Sequence, residues 1–248
     1  MKIEVRNLSK SYESKKVLDT INLTFNPDNV YCIVGKNGVG KTTFFNLLLQ
    51  MLEFNSGEVL YDDRTYENLP NEIKKKIGFS GDNSFLVNEL TPFQFLTFTG
   101  KLYELSAAHI TQRIKELFEY FFEDSSPLMK QSIATLSTGM KKKISICSAI
   151  LHLPSCLILD EPFAGLDPVS AHQVISLLDD YKKSDRTIII SSHDLDYVAK
   201  LASHIIIFDK SKIVFEGSSI EIIESGKNLD EIILNLLNPP KTKKLSWL

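Results

Sequence analysis

Val30-Tyr31-Cys32-Ile33-Val34-Gly35-Lys36-Asn37-Gly38-Val39-Gly40-Lys41-Thr42-Thr43 decides how this chain folds. Its first five residues form a nearly continuous apolar run of β-branched type, the pattern of a buried strand. Gly35 to Thr42 then matches GxxxxGK[ST], and Phe44, Phe45, Leu47, Leu48, Leu49 and Leu52 crowd one side of a helical pattern behind it. Strand, glycine loop and helix in that order suit the binding of a polyphosphate. Gly35, Gly38 and Gly40 let backbone N–H groups approach the anion with no Cβ in the way. The following helix turns its positive N-terminal end to the same anion. Lys41 supplies a point charge to the β- and γ-phosphates, and Thr42 a hydroxyl ligand for Mg²⁺.

Upstream of this segment, Ile3 to Val5 and Asn22 to Phe25 alternate as strands do. Downstream, Ser56-Gly57 breaks the helix before a short strand, Glu58 to Tyr61. From about Ser84 to Ile133 the character changes. Phe93–Leu105 and Ala107–Phe122 carry apolar residues at helical spacing with charges between them and almost no glycine, which predicts a helical subdomain inserted into an α/β core. Buried strands return at Cys156–Leu159, Thr187–Ser191 and Ile205–Phe208, with a helix from about Pro168 to Lys183 and a hairpin turn at Asp209-Lys210-Ser211-Lys212. Strands alternating with helices argue for a largely parallel sheet.

Two acids, Asp160 and Glu161, directly follow the apolar strand, where ligands of open α/β sheets collect. Asp160 is placed to hold Mg²⁺ opposite Thr42. Glu161 can accept a proton from a water attacking the γ-phosphate. The strand Thr187–Ser191 delivers His193 to the same edge, able to bond a γ-phosphate or that water. His109, His152, His172 and His204 have no such setting and read as structural. Asp167 is placed to cap the helix after Pro168.

The composition of the 248 residues, 43% hydrophobic and 24% charged with 11 glycines and 9 prolines, excludes collagen, low-complexity disorder and disulfide scaffolds. A net charge of −3 carries no basic footprint for nucleic acid. Cys32, Cys147 and Cys156 lie far apart among apolar neighbours, so we expect reduced, buried thiols and a cytoplasmic setting. No apolar run approaches the roughly 20 residues of a spanning helix, and Met1–Arg6 lacks the pattern of a signal peptide.

Leu136-Ser137-Thr138-Gly139-Met140 completes the reading. With the phosphate loop, Leu159-Asp160-Glu161-Pro162, Ala164-Gly165-Leu166-Asp167 and Ser192-His193-Asp194, it resembles the nucleotide-binding subunits of ABC transporters over about residues 2 to 217. The resemblance implies a P-loop NTPase (RecA-like) core with an N-terminal antiparallel β subdomain and an inserted α-helical subdomain. It implies an ATPase domain over 1–217 with the helical part at about 84–135, then a C-terminal helix and tail over 218–248. Beyond Asn238-Pro239-Pro240 the tail, with Trp247, reads as loose. ATP and Mg²⁺ are the implied cofactors. Tyr12 matches the aromatic that stacks on adenine, and Lys36, Asn37, Val39 and Thr43 join the loop residues around the nucleotide. Ser137 and Gly139 match the signature that binds the γ-phosphate held by the other subunit, whereas Thr138 and Met140 depart from its commonest form. Lys141, Lys142 and Lys143 after it read as a solvated helix face.

The resemblance also implies a head-to-tail homodimer or heterodimer of ATPase subunits. This dimer would sit peripherally on the inner face of the cell membrane, bound to a separate integral membrane permease near residues 79–90 and the helical subdomain, with no nucleic acid. The single short domain and STGM-type signature look more like exporters than importers. Asp82 stands where the family usually has a glutamine that touches Mg²⁺; as a candidate metal ligand it is charged but one carbon shorter, able to hold Mg²⁺ more strongly while reaching less far, which predicts slower or differently coupled hydrolysis. A soluble ABC ATPase that moves no solute is the alternative. Against it, the chain has one such domain, and too few residues lie between Lys41 and Ser137 for a long coiled coil.

Overall fold

Ten strands and seven α-helices make up the computed structural model over the residues it describes: 1–81, 85–123, 130–182, 185–219 and 222. β1 (Ile3–Tyr12) and β2 (Lys15–Phe25) form a long hairpin, and β4 (Ser56–Tyr61) and β5 (Arg64–Thr65) extend it into a four-stranded antiparallel sheet ordered β2-β1-β4-β5. The second sheet holds β3 (Val30–Val34), β6 (Ile77–Ser80), β7 (Cys156–Asp160), β8 (Thr187–Ser192), β9 (His204–Asp209) and β10 (Lys212–Ser218), ordered β10-β9-β3-β8-β7-β6. Its pairs are parallel except for the β9–β10 hairpin.

Period-two alternation explains why these strands are apolar on both faces. Cys156 and Ile158, Ile189, and Ile206 and Phe208 face a core shared with the antiparallel sheet and with α1 (Lys41–Leu48), which contributes Phe44, Phe45, Leu47 and Leu48. Leu157 and Leu159, Ile188 and Ile190, and Ile205 and Ile207 face the opposite core. There they meet α3 (Pro92–Leu102), α4 (Ala107–Phe121), α5 (Thr138–Ile150), α6 (Pro168–Tyr181) and α7 (Leu195–Leu201). The three cysteines are buried and free, and burial pushes the Cys32 and Cys156 thiols up to about 12.

Local chemistry sets the helix starts. Thr91 and Gln94 form a reciprocal capping box on α3, Ser106 caps α4, and Asp167 caps α6 through the Ser170 N–H at 2.9 Å. The Ser170 hydroxyl also bonds Asp167, and these bonds hold its carboxyl below the ordinary range. Tyr120 on α4 and Gln173 on α6 exchange bonds to each other's backbone carbonyls, tying the helical layer to the core. Four short elements escaped the periodicity: β5, α2 (Asn71–Lys74), β6 and α7. None is longer than seven residues, too little for a pattern to declare itself.

The lysine run after Met140 requires a correction. Lys142 is buried, 6% exposed, and its ammonium donates to the Gly81 carbonyl at 2.9 Å and the Asp160 carbonyl at 3.3 Å. Lys141 donates to the Ala134 carbonyl, and the half-buried Lys143 donates to the Phe121 carbonyl with its charge over the Phe122 ring. Long methylene stems carry these charges across apolar surface to carbonyls that need donors.

Candidate active site

At the carboxyl edge of the parallel strands, β3 runs into the glycine loop, β7 ends in Asp160, and β8 ends next to His193. Because β7 and β8 are hydrogen-bonded neighbours with Asp160 opposite Ser191, residues 31 positions apart arrive at one point.

The loop needs its glycines. Gly38 and Gly40 have φ of 78° and 113°, in the left-handed region that only glycine enters freely. A Cβ on Gly35 would lie 2.7 Å from the Phe208 carbonyl oxygen. Gly40 starts α1, and a cavity of about 250 Å³ opens there, lined by Val17, Asn37, Gly38, Gly40, Lys41, Thr42, Thr43, Asp160 and Glu161. Lys36 and Val39 do not line this cavity but a neighbouring basic cleft, which Asn37, Gly38, Lys15, Lys16 and Lys210 also line.

Inside the site the polar groups form one connected set. Lys41, 6% exposed, donates to the Gly35 carbonyl at 2.7 Å and pairs with Glu161 Oε1 at 3.3 Å. Thr42 donates its hydroxyl to Asp160 Oδ2 at 2.5 Å. Glu161 Oε2 lies 2.9 Å from His193 Nδ1. Glu161 itself has φ of 48°, an uncommon conformation for a residue with a side chain, which aims its carboxylate back into the cluster.

Ser191 organises both acids. Its buried hydroxyl donates to Asp160 Oδ1 and accepts the Glu161 N–H at 2.9 Å. Sequence reasoning passed over Ser191, although a serine closing the run Thr187-Ile188-Ile189-Ile190 was the available signal. It also misread Lys142 as solvated, although Lys142, Ser145, Ile146 and Ala149 recur at the spacing of a buried helix stripe.

Not every candidate converges here. Tyr12 is exposed at the tip of the β1–β2 hairpin, with the Lys10 ammonium 5.1 Å from its ring centre, and it does not line the cavity. Ser137 caps α5, accepting the Met140 N–H at 3.2 Å, and a Cβ on Gly139 would lie 3.0 Å from the Gly165 carbonyl oxygen. Neither residue lines the cavity of its own chain. Asp82 lies outside the described residues, as does the segment 223–248 with Trp247.

The ABC transporter family matches residues 18–164, more than half of the chain. The chain belongs to the ABC transporter family. As an ABC ATP-binding subunit it binds ATP and is an ATPase, and subunits of this family dimerise and work with membrane subunits. It is 29% identical to the ABC transporter ATP-binding protein NatA of Bacillus subtilis, over 92% of this chain and 94% of that one. It is 26% identical to the Nod factor export ATP-binding protein I of Cupriavidus metallidurans, over 93% of this chain and 75% of that one. Among solved structures, an ATP-binding subunit of an ABC transporter superposes with a TM-score of 0.85 at 26% identity, covering 95% of this chain and 99% of that one. The ABC cassette's P-loop core, antiparallel β subdomain and helical part are therefore all present. No helix among the described residues is long and apolar enough to cross a membrane.

Proposed function

We propose that this subunit hydrolyses ATP between two head-to-tail ATPase domains and uses the closure to drive export through a separate membrane subunit. The observation that carries the reading is the connected set Lys41–Glu161–His193 beside Thr42–Asp160, at the mouth of the glycine loop. Lys41 and His193 stabilise charge on the γ-phosphate. Glu161 accepts a proton from the water whose oxygen bonds the γ-phosphorus as the bond to the β–γ bridging oxygen breaks. The backbone N–H groups from Gly35 to Thr43 cradle the phosphates, and Tyr12 stacks on the base.

The hydroxyl of Thr42 and the carboxylate of Asp160 are hard oxygen donors, the chemistry Mg²⁺ takes when phosphate and water complete its shell. Bound there, Mg²⁺ would neutralise phosphate charge. Ser137 and Gly139, absent from their own chain's cavity, are available to the partner's nucleotide, which supports the head-to-tail arrangement. An apolar groove of about 620 Å³ between β6, α3 and the end of α1, with Phe85, Val87, Phe98 and Leu102 exposed along it, supports docking of a membrane subunit near residues 79–90. The Nod factor relative supports export as the direction. The domain limits 1–217 and 218–248, with the helical insertion at about 84–135, remain part of this proposal.

Light scattering of Glu161→Gln with ATP tests the catalytic reading. We expect a trapped ATP-bound dimer, and a monomer would overturn it. Retrieval of a multi-spanning membrane protein with the tagged subunit, followed by transport measured in both directions in vesicles, tests the rest; uptake, or retrieval of soluble partners only, would refute export.

A further inference from the structure

α5 runs from Ser137 at its N-terminus, the residue we assign to the partner's nucleotide, alongside the strands that carry this chain's own site. Three cross-links join them. Ala149 packs its carbonyl against Gly78 of β6, so closely that a Cβ there would sit 2.1 Å away. Ser145 and Ser80 share a buried hydrogen bond at 2.8 Å. Lys142, nearest the Ser137 end, bridges to the Gly81 carbonyl just past β6 and to the Asp160 carbonyl at the end of β7. The first two links fasten α5 to β6. The third reaches the residue whose side chain faces Thr42.

An ammonium is a costly way to make that contact, because burying a charge forfeits its hydration. A methionine would fill similar space without that penalty, so packing alone does not call for lysine here. Backbone carbonyls at a strand's end, by contrast, lie where the ladder stops supplying donors, and one ammonium serves both. The charge sits on the backbone of the residue whose carboxylate is held by Thr42 and Ser191, so Lys142 bears on the orientation of the Asp160 end of β7.

We propose that Lys142 is a positioning residue that makes α5 and the Asp160 end of β7 one rigid body, so that engagement of Ser137 by the partner's nucleotide is transmitted to the chain's own catalytic carboxylates. The proposal rests on the head-to-tail reading above. It predicts that the two sites of the dimer communicate through Lys142 and that ATP binding to a single protomer does not depend on it.

The test uses the full chain as wild type, Lys142→Met and Lys142→Arg. Turnover is measured against ATP concentration, together with binding of a fluorescent ATP analogue by the protomer and thermal unfolding. For Lys142→Met we expect kcat to fall about 10–100-fold, as when partners that orient site ligands are removed. The Hill coefficient should drop toward one with nucleotide affinity close to wild type, and the melting temperature should stay close to wild type because the two lost hydrogen bonds are offset by removal of the buried charge. Lys142→Arg, which keeps a charged donor, should recover most of the turnover. In a Glu161→Gln background, Lys142→Met should raise the ATP concentration needed to form the dimer seen by light scattering. Unchanged kcat and Hill coefficient in Lys142→Met would overturn the proposal. So would parallel losses of affinity, melting temperature and turnover, which would assign Lys142 to maintenance of the fold, or a defect that arginine leaves uncorrected. If Glu161→Gln alone forms no ATP-dependent dimer, the head-to-tail reading fails first and this proposal falls with it.

Discussion

Removing one oxygen atom at Ser191 should disable the site without touching any group that meets the nucleotide. The hydroxyl is fully buried, donates to Asp160 Oδ1 and accepts the Glu161 N–H. Ser191→Ala deletes a bond to a carboxylate, worth about 1.5–3 kcal/mol, and leaves the Glu161 N–H without its acceptor at about 1–3 kcal/mol. Partial relaxation brings the expected total to about 3 kcal/mol, since Thr42 still holds the other carboxylate oxygen. At about 2–4 °C per kcal/mol for a chain of this size, the melting temperature should fall by about 6–12 °C. Catalysis should suffer further. Glu161 keeps its left-handed backbone partly because Ser191 holds its amide, so its carboxylate should wander and kcat should fall about 10–100-fold with KM for ATP little changed. Thermal unfolding and steady-state ATPase assays on the same preparation decide it. A melting temperature within about 1 °C of wild type together with an unchanged kcat would refute the reasoning, because two buried hydrogen bonds cannot be lost without either signature.

Two further substitutions probe the scaffold. Gly78→Ala places a Cβ 2.1 Å from the Ala149 carbonyl oxygen and 2.7 Å from Pro154 Cγ; the helix backbone must retreat, so denaturant unfolding should show a loss of about 2 kcal/mol or more, and a neutral result would contradict the α5–β6 packing. His152 stacks on Tyr103 at 3.5 Å between ring centres and meets the Ile77 carbonyl, and burial pushes its pKa down from 6.5 to about 4. The unfolded chain therefore binds this proton at higher pH than the folded one, and stability present above pH 6.5 is lost as pH falls toward 4, by up to about 3 kcal/mol. Unfolding measured across that window should show a shallower slope for His152→Phe, and an identical slope would exclude His152 as its source.

The fold was legible wherever a local pattern carried the information. The run Val30–Val34 and the apolar segments of β7, β8 and β9 lie where continuous hydrophobicity placed them, and α4 and α6 start at their capping residues. The glycine loop, Asp160, Glu161 and His193 were equally visible, since the chemistry that binds a phosphate demands particular residue types at fixed spacing. Lys142 was misread because a charged residue in a run of three lysines looks solvated until the helix stripe it shares with Ser145, Ile146 and Ala149 is counted.

By itself, then, the sequence determined the strand–loop–helix, the alternation that gives each parallel strand two buried faces, and the set of groups able to handle a polyphosphate. All of these depend on neighbours within a few residues. Only the tertiary structure decided that Ser191 would hold Asp160 and Glu161 together, that Glu161 would pair with both Lys41 and His193, and that Lys142 would bridge to Gly81 and Asp160. Those contacts join residues 18 to 120 positions apart, and they arise from the order in which parallel strands assemble beside one another. That order is set by the two cores closing over both faces of the sheet at once, a condition no local stretch of chain contains.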